Sequence, residues 1–306
     1  MRITYGIATN NIDVTAICFK RLTSGNYIII PPGDENRGFF FSDPLFRVLK
    51  SIFITDNNGT VTEYDHSIKI YIDITKNIIY KNNVSDILIE DTTDNILSII
   101  HHNLKIKHGS FKDELPEQKM AVRYLRGNEK ILEIGGNIGR NSIVMSYILR
   151  KHNNNNLVVL ECSLGSYNML KENRDINNLD FKIENSALSK RKLIQRGWNT
   201  IPSDTVLDGY SEVKTIEFDA LKAKYNIEFD TLVLDCEGAF YYILQDMPEI
   251  LKNINLIIME NDYHNISHKR YVDNVLEANN FKSDYIEAGG WPPCTPAFFE
   301  VWKRII

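Results

Sequence analysis

Three apolar runs in the second half of this chain lead into carboxylates: Glu133 after Ile131-Leu132, Glu161 after Leu157 to Leu160, and Asp235 after Leu232 to Leu234. Acids gathered in one cleft are costly unless something pairs them. They suit hydroxyl groups, cations or a shared proton. In the stretch Asp235-Cys236-Glu237-Gly238, residues two apart on a strand project to the same side, which would aim Asp235 and Glu237 together. An acid held near another acid has a raised pKa and works better as a general base. Glu260 and His264 follow the next apolar run and would rim the same cleft. Asp235, Glu237 and Glu260 could instead hold a divalent cation that lowers an acceptor's pKa. That use is not favoured. His264 and His268 have the spacing of a ligand pair, but His264 falls in a loop, which favours a base or a substrate contact.

The acid at 133 opens a glycine loop, Gly135-Gly136-Asn137-Ile138-Gly139, that leads into a helical pattern from Ser142 to Lys151. A strand, a glycine turn and a helix form a nucleotide site. Two details select the nucleotide. A pyrophosphate would meet a like charge at Glu133. The Cβ of Asn137 blocks the close backbone approach a dinucleotide needs. A cationic ligand without phosphates suits both, and S-adenosylmethionine, with its sulfonium and ammonium, is such a ligand. Glu161 lies 28 residues after Glu133, where a carboxylate would accept the ribose hydroxyls.

These residues need a parallel sheet to bring them together. From residue 117 onward, strand and helix patterns alternate. Core strands are expected at 131–133, 157–161, 229–235 and 255–260, with helices at 120–126, 142–151, 238–251 and 269–279. The chain then closes with 281–287 and 297–304 with no helix between, a pair that must run antiparallel or lie apart. Residues 1–110 read as strand-rich. A hairpin is expected across Asp56-Asn57-Asn58-Gly59, a strand over Ile68 to Ile74, and a helix over Asp43 to Lys50 with Pro44 at its first position. Phe39-Phe40-Phe41 reads as core. His101, His102 and His108 lack an acid or cysteine at ligand spacing and read as linker residues. The expected organisation is an accessory domain over 1–110 that binds substrate or a partner, a linker over 111–116 and the catalytic domain over 117–306.

The 43% hydrophobic and 25% charged residues are those of an ordinary globular protein. A net charge of -5 disfavours a general nucleic-acid partner. The basic run Lys190-Arg191-Lys192 with Arg196 reads as a solvated face. Four unpaired cysteines and no apolar run of membrane length lead to the expectation of a cytoplasmic protein without a membrane partner. The oligomeric state is left open.

Glu133-Ile-Gly-Gly-Asn-Ile-Gly139, Glu161-Cys-Ser163, Asn185-Ser-Ala-Leu-Ser189, Asp235-Cys-Glu-Gly-Ala239 and Ile257-Ile-Met-Glu260 resemble, in order, the motifs of FkbM-type methyltransferases. The resemblance covers about residues 117–306. It implies a class I methyltransferase fold, α/β with a Rossmann-like sheet and a C-terminal antiparallel strand pair. It also implies S-adenosylmethionine-dependent O-methylation of a hydroxyl on a sugar, glycan or natural-product-like acceptor. Carried over by motif, Glu133, Gly135, Asn137 and Gly139 would hold the donor and Glu161 its ribose. Asn185 and Ala187 would lie near the adenine, and Asp235 and Glu237 at the catalytic end. Members often carry a lysine two residues before the aspartate, where this chain has Val233. Two other readings compete: a catalytically idle scaffold that keeps the fold, and an RNA ribose methyltransferase.

Overall fold

The computed structural model describes residues 1–24, 26–81 and 85–305, with Ser24 and 85–92 described by their backbone. The chain opens with β1 (Arg2–Ile7), β2 (Asn10–Asp13), α1 (Thr15–Arg21), β3 (Thr23–Ser24), β4 (Tyr27–Ile30) and α2 (Asp34–Phe41). β5 (Ser51–Thr55), β6 (Val61–Tyr64), β7 (Ile70–Asp73) and β8 (Ile78–Lys81) follow. Two antiparallel four-stranded sheets result, ordered β2-β1-β5-β6 and β3-β4-β7-β8. Alternation explains their core: Ile3, Tyr5, Ile28, Ile30, Ile52, Ile54, Ile70 and Ile72 are all buried and pack with Phe40 and Phe41. The hairpin expected across residues 56–59 is β5 paired with β6.

The helix expected over Asp43 to Lys50 does not form. Asp43 turns its side chain onto the Leu45 N–H, Arg47 adopts φ +61°, and the Lys50 ammonium takes the carbonyls of Leu45 and Val48. Such local side-chain bonds compete with helical ones. The helix is α2 instead, which begins with Asp34 and Glu35 and carries the three phenylalanines.

The second half contains α3 (Ser85–Asn103), α4 (Leu115–Tyr124), β9 (Ile131–Ile134), α5 (Arg140–Arg150), β10 (Leu157–Leu160), α6 (Leu164–Asp175) and β11 (Lys182–Glu184). Next come β12 (Ala187–Leu188), β13 (Leu193–Arg196), β14 (Asn199–Pro202), β15 (Ser211–Val213), β16 (Thr215–Ile216) and α7 (Phe218–Tyr225). β17 (Thr231–Leu234), α8 (Phe240–Asp246), β18 (Leu256–Glu260), α9 (Ile266–Ala278), β19 (Phe281–Glu287) and β20 (Phe299–Arg304) complete the chain.

Seven strands form one sheet in the order β11-β10-β9-β17-β18-β20-β19. The first five are parallel, and β20 runs antiparallel to both of its neighbours. This is the class I methyltransferase pattern, with the closing antiparallel pair expected from the sequence. β9, β10 and β17 are buried along their whole length, as parallel strands covered on both faces must be. From β9 the chain moves outward first to β10 and β11, then crosses back to β17 and β18. Ligands of open α/β sheets bind at that change of direction.

Leu97, Ile100 and Leu104, at and just beyond the end of α3, join the core of this larger sheet. α1 and β3 pack against β19. Between Ser189 and Lys214 the sequence pattern predicts no element. The structure places there a three-stranded antiparallel sheet, β14-β13-β15. Among the described residues, no helix is long and apolar enough to cross a membrane.

Candidate active site

The carboxyl ends of the parallel strands open on a cavity of about 770 Å³. Gly135, Asn137, Glu161, Ala187, Asp235, Glu237, Glu260 and His264 all line it. Glu133, Gly139 and Asn185 stand behind its wall.

The glycine loop is shaped by close approach. Gly135 has φ +92°, and a Cβ there would run into the backbone carbonyl of Asp235. Gly139 has φ +88° and begins α5, where a Cβ would strike Leu170. Asn137 also adopts positive φ, +45°, and its N–H reaches Glu161 Oε2 at 2.8 Å. The other Glu161 oxygen accepts the Ser163 N–H at 2.7 Å. Asn185 braces the same corner, its amide donating to the carbonyls of Glu161 and Cys162. Its neighbours Ser186, Ala187 and Leu188 face the cavity.

Glu133 is 3% exposed and accepts the Ser142 hydroxyl at 2.5 Å. Burial pushes its carboxyl up to about 8, against the effect of that hydrogen bond. Glu114 and Glu161 add like charge. Glu133 therefore lies beneath the loop, bonded to Ser142 on α5, and does not itself line the cavity.

Asp235 and Glu237 meet the cavity by a route other than strand alternation. β17 ends at Leu234, and Glu237 sits in a turn at φ +51°. Gly238, φ +75°, then lets the chain enter α8 and donates its N–H to Asp262 at 2.6 Å. Burial holds Asp235 well above the usual carboxylate range, and Asp262, Glu114, Glu117 and Glu237 add repulsion. Burial also raises Glu237, while the neighbouring His264 at the exposed rim draws it back. Glu260 is pushed up to about 11 by burial, by its hydrogen bond to Glu117 and by the charge of Asp235. Asp262 rises to about 7, chiefly through burial.

Three of these acids, Glu114, Glu117 and Asp262, carry no strand-end signal in the sequence. Glu114 and Glu117 flank Pro116 at the start of α4, and both line the cavity. Glu114 accepts Arg140 at 2.5 Å and the Asn137 amide at 3.3 Å. Glu117 is 7% exposed, and its Oε2 has no partner. Asp262 lies two residues beyond Glu260, with Oδ2 also unpartnered. The Glu-x-x-Glu spacing around a helix-starting proline was the available signal for the first two.

Among the described residues, the cavity wall carries seven carboxylates and a single arginine. That arginine, Arg191, is spent: it forms a two-pronged pair with Asp246 at 2.6 and 2.7 Å. Lys190, from the same basic run, reaches the Asp246 carbonyl and Glu249. No cluster of histidine, cysteine and acid side chains among the described residues has the arrangement of a metal centre. His101 bonds to Gln118 and stacks on Phe111, and His108 bonds to Glu172.

The sequence matches no family model and no curated protein. Among solved structures, an O-methyltransferase from Bacillus cereus in complex with SAH is similar at 14% identity and TM-score 0.38, over 69% of this chain and 88% of that one. An rRNA methylase from Streptococcus thermophilus is similar at 9% identity and TM-score 0.39, over 62% and 94%. A ribosomal protein L11 methylase from Lactobacillus delbrueckii subsp. bulgaricus is similar at 13% identity and TM-score 0.38, over 63% and 80%. Likeness at this level leaves activity and acceptor to be judged from the site itself.

Proposed function

We propose that this chain is an S-adenosylmethionine-dependent O-methyltransferase acting on a hydroxyl of a sugar, glycan or natural-product-like acceptor. One observation carries the proposal. The cavity at the sheet's change of direction is walled by acids and offers no free cation among the described residues, so it favours a positively charged nucleoside over a phosphate-bearing one. The residues present fit such a donor. Glu161 stands at the end of β10 for the ribose hydroxyls, Ile134, Leu160 and Leu188 provide apolar wall for the base, and Glu114, Glu117 and Asp235 supply negative charge. When bound, S-adenosylmethionine supplies a methyl group on a sulfonium as the electrophile.

The protein's part is alignment and proton removal. A cation beside Asp235 offsets part of the burial and repulsion that raise its pKa. The ionised carboxylate can then accept the proton of an acceptor hydroxyl. Glu237, Glu260 and His264 complete the polar rim. The ordered motifs that resemble FkbM-type methyltransferases support O-methyl transfer. Val233, buried in β17 opposite Glu133, stands where that pattern often has lysine, so no cation is assigned there. No step needs a metal.

Calorimetric titration with S-adenosylhomocysteine separates this reading from an idle scaffold. Transfer of labelled methyl to nucleotide sugars and glycans then tests the acceptor class. Absence of S-adenosylhomocysteine binding, or a phosphate-bearing nucleotide bound in its place, would end the proposal.

A further inference from the structure

Five aromatic side chains are exposed among the described residues, and three of them line the cavity: Trp198, 65% exposed, Tyr242, 40%, and Trp291, 40%. Exposed aromatic faces gathered at a cavity mouth are unusual for a monomer surface and mark binding sites. Each is placed by its local chain. β13 and β14 are joined by a two-residue turn, Gly197-Trp198, with Gly197 at φ +60°. Glycine at the first turn position closes the hairpin and leaves Trp198 at its tip. Tyr242 is gripped edge-on by Tyr241 at 4.9 Å, with Arg191 over its face at 5.2 Å. Trp291 stands edge-on against Phe298 at 5.0 Å.

On the same hairpin, β13 and β14 bring Gln195, Asn199 and Thr200 to the cavity wall. These neutral amide and hydroxyl groups match hydroxyls and carry no charge. The one arginine that lines the cavity is already paired with Asp246. A ligand that presents an apolar ring face and a rim of hydroxyls satisfies the whole wall. Among the described residues that line the cavity, a phosphodiester chain would find no unpaired arginine or lysine and would meet six acids besides the Asp246 that Arg191 holds.

We infer that the β13–β14 hairpin and the loop carrying Trp291 form the acceptor subsite, in which Trp198, Tyr242 and Trp291 stack a neutral pyranose ring and Gln195, Asn199 and Thr200 read its hydroxyls. The assignment rests on the methyltransferase reading and names the residues that select its acceptor. Trp198 and Trp291 are specificity-determining residues and stand apart from the proton-transfer acids.

The chain has three tryptophans, and the third, Trp302, is buried against Glu300. Intrinsic fluorescence therefore reports on the rim. The full chain is titrated without donor against neutral methyl pyranosides of the gluco, galacto, manno and deoxy series. Catechol and single-stranded oligouridylate serve as competing arms. A pyranoside should change the emission, and Trp198→Ala and Trp291→Ala should each weaken that binding about tenfold. Trp198 buries little, so its replacement leaves the fold intact. Both variants should bind S-adenosylhomocysteine as the wild type does, and with a methylated pyranoside they should raise KM with little change in kcat. The inference is overturned if no pyranoside alters the emission, if the response survives both substitutions, or if catechol or oligouridylate alone produces it. Failure of S-adenosylhomocysteine to bind the wild type counts against the methyltransferase reading itself, because the pyranoside titration proceeds without donor.

Discussion

The carboxylate of Glu161 accepts the backbone N–H of Asn137 at 2.8 Å. That bond joins the end of β10 to the glycine loop after β9. The acid proposed for the ribose and the loop proposed for the donor thus hold one another. Asn137 can aim its N–H this way because it adopts φ +45°, a conformation asparagine tolerates better than most residues.

Glu161→Gln removes the charge and leaves one of the Asn137 and Ser163 N–H groups without its acceptor. Hydrogen bonds to a charged group contribute about 1.5–3 kcal/mol. S-adenosylhomocysteine should therefore bind roughly ten- to a hundredfold more weakly by calorimetry. Unchanged affinity would remove Glu161 from the ribose.

Gly135→Ala should damage both fold and binding. The added methyl would meet the Asp235 carbonyl, and φ +92° is strained for alanine. The backbone conformation alone costs about 1–3 kcal/mol. The melting temperature should fall by several degrees, and S-adenosylhomocysteine binding should be lost. A variant that melts like the wild type would show that the two loops can separate at no cost.

The sheet was legible because its strands announce themselves. Leu157 to Leu160 and Thr231 to Leu234 are short apolar runs buried on both faces, and an antiparallel closing pair followed from the missing helix before residue 297. The acids at strand ends were legible for the same reason. Three kinds of feature were not. Glu114 and Glu117 enter the cavity from α4, which precedes the sheet, so no strand end marks them. Asp235 and Glu237 were expected to align as strand neighbours, but the strand stops at Leu234 and a left-handed turn at Glu237 brings the second acid round. The helix expected at 43–50 lost to the local bonds of Asp43 and Lys50, which depend on tertiary folding that places the Lys50 ammonium 2.7 Å from Asp34.

Stability should fall as pH rises from about 5 to 8.5. Glu133 is raised to about 8 and Asp262 to about 7 in the folded chain, whereas both titrate near 4 when unfolded. Between those values the folded state holds more protons than the unfolded one. The stabilisation is therefore complete below the unfolded pKa and is lost as pH climbs through the folded one. Thermal melts across this range should show the decline, and Glu133→Gln should flatten it. S-adenosylmethionine, being cationic, should bind more tightly at pH 8 than at pH 6, because ionised acids attract it. A melting temperature that climbs from pH 6 to 8 would contradict the burial of these acids.

Asp235→Ala should abolish turnover and preserve donor binding. General-base catalysis contributes about 10²–10⁴ in rate. The substitution also removes one of several mutually repelling carboxylates, so the melting temperature should hold or rise. Treatment with a chelator should leave wild-type turnover unchanged. Wild-type rates in Asp235→Ala would move the base elsewhere in the cluster, and activity lost to chelation would make the acids metal ligands.

A buried charge network fastens the edge of the large sheet. Lys269 on α9 is 1% exposed and lies 2.8 Å from Glu300 on β20. It also pairs with Asp273, which Arg21 of α1 reaches at 3.2 Å. Asn261 and Trp302 donate to Glu300. Burial lowers the Lys269 pKa, but the two carboxylates overcome it and leave the ammonium more firmly charged than usual. Lys269→Met leaves Glu300 without its cation and Asp273 with Arg21 alone. Breaking a buried pair on one side costs about 3–5 kcal/mol, so the melting temperature should drop by on the order of 10 °C. Adding Glu300→Gln to the same chain removes one stranded charge and should recover part of the loss. If the single substitution left the melting temperature in place, Asp273 and Glu300 would have to be protonated in the folded chain, and the link from Arg21 through Asp273 could not fasten α1 to α9 by charge.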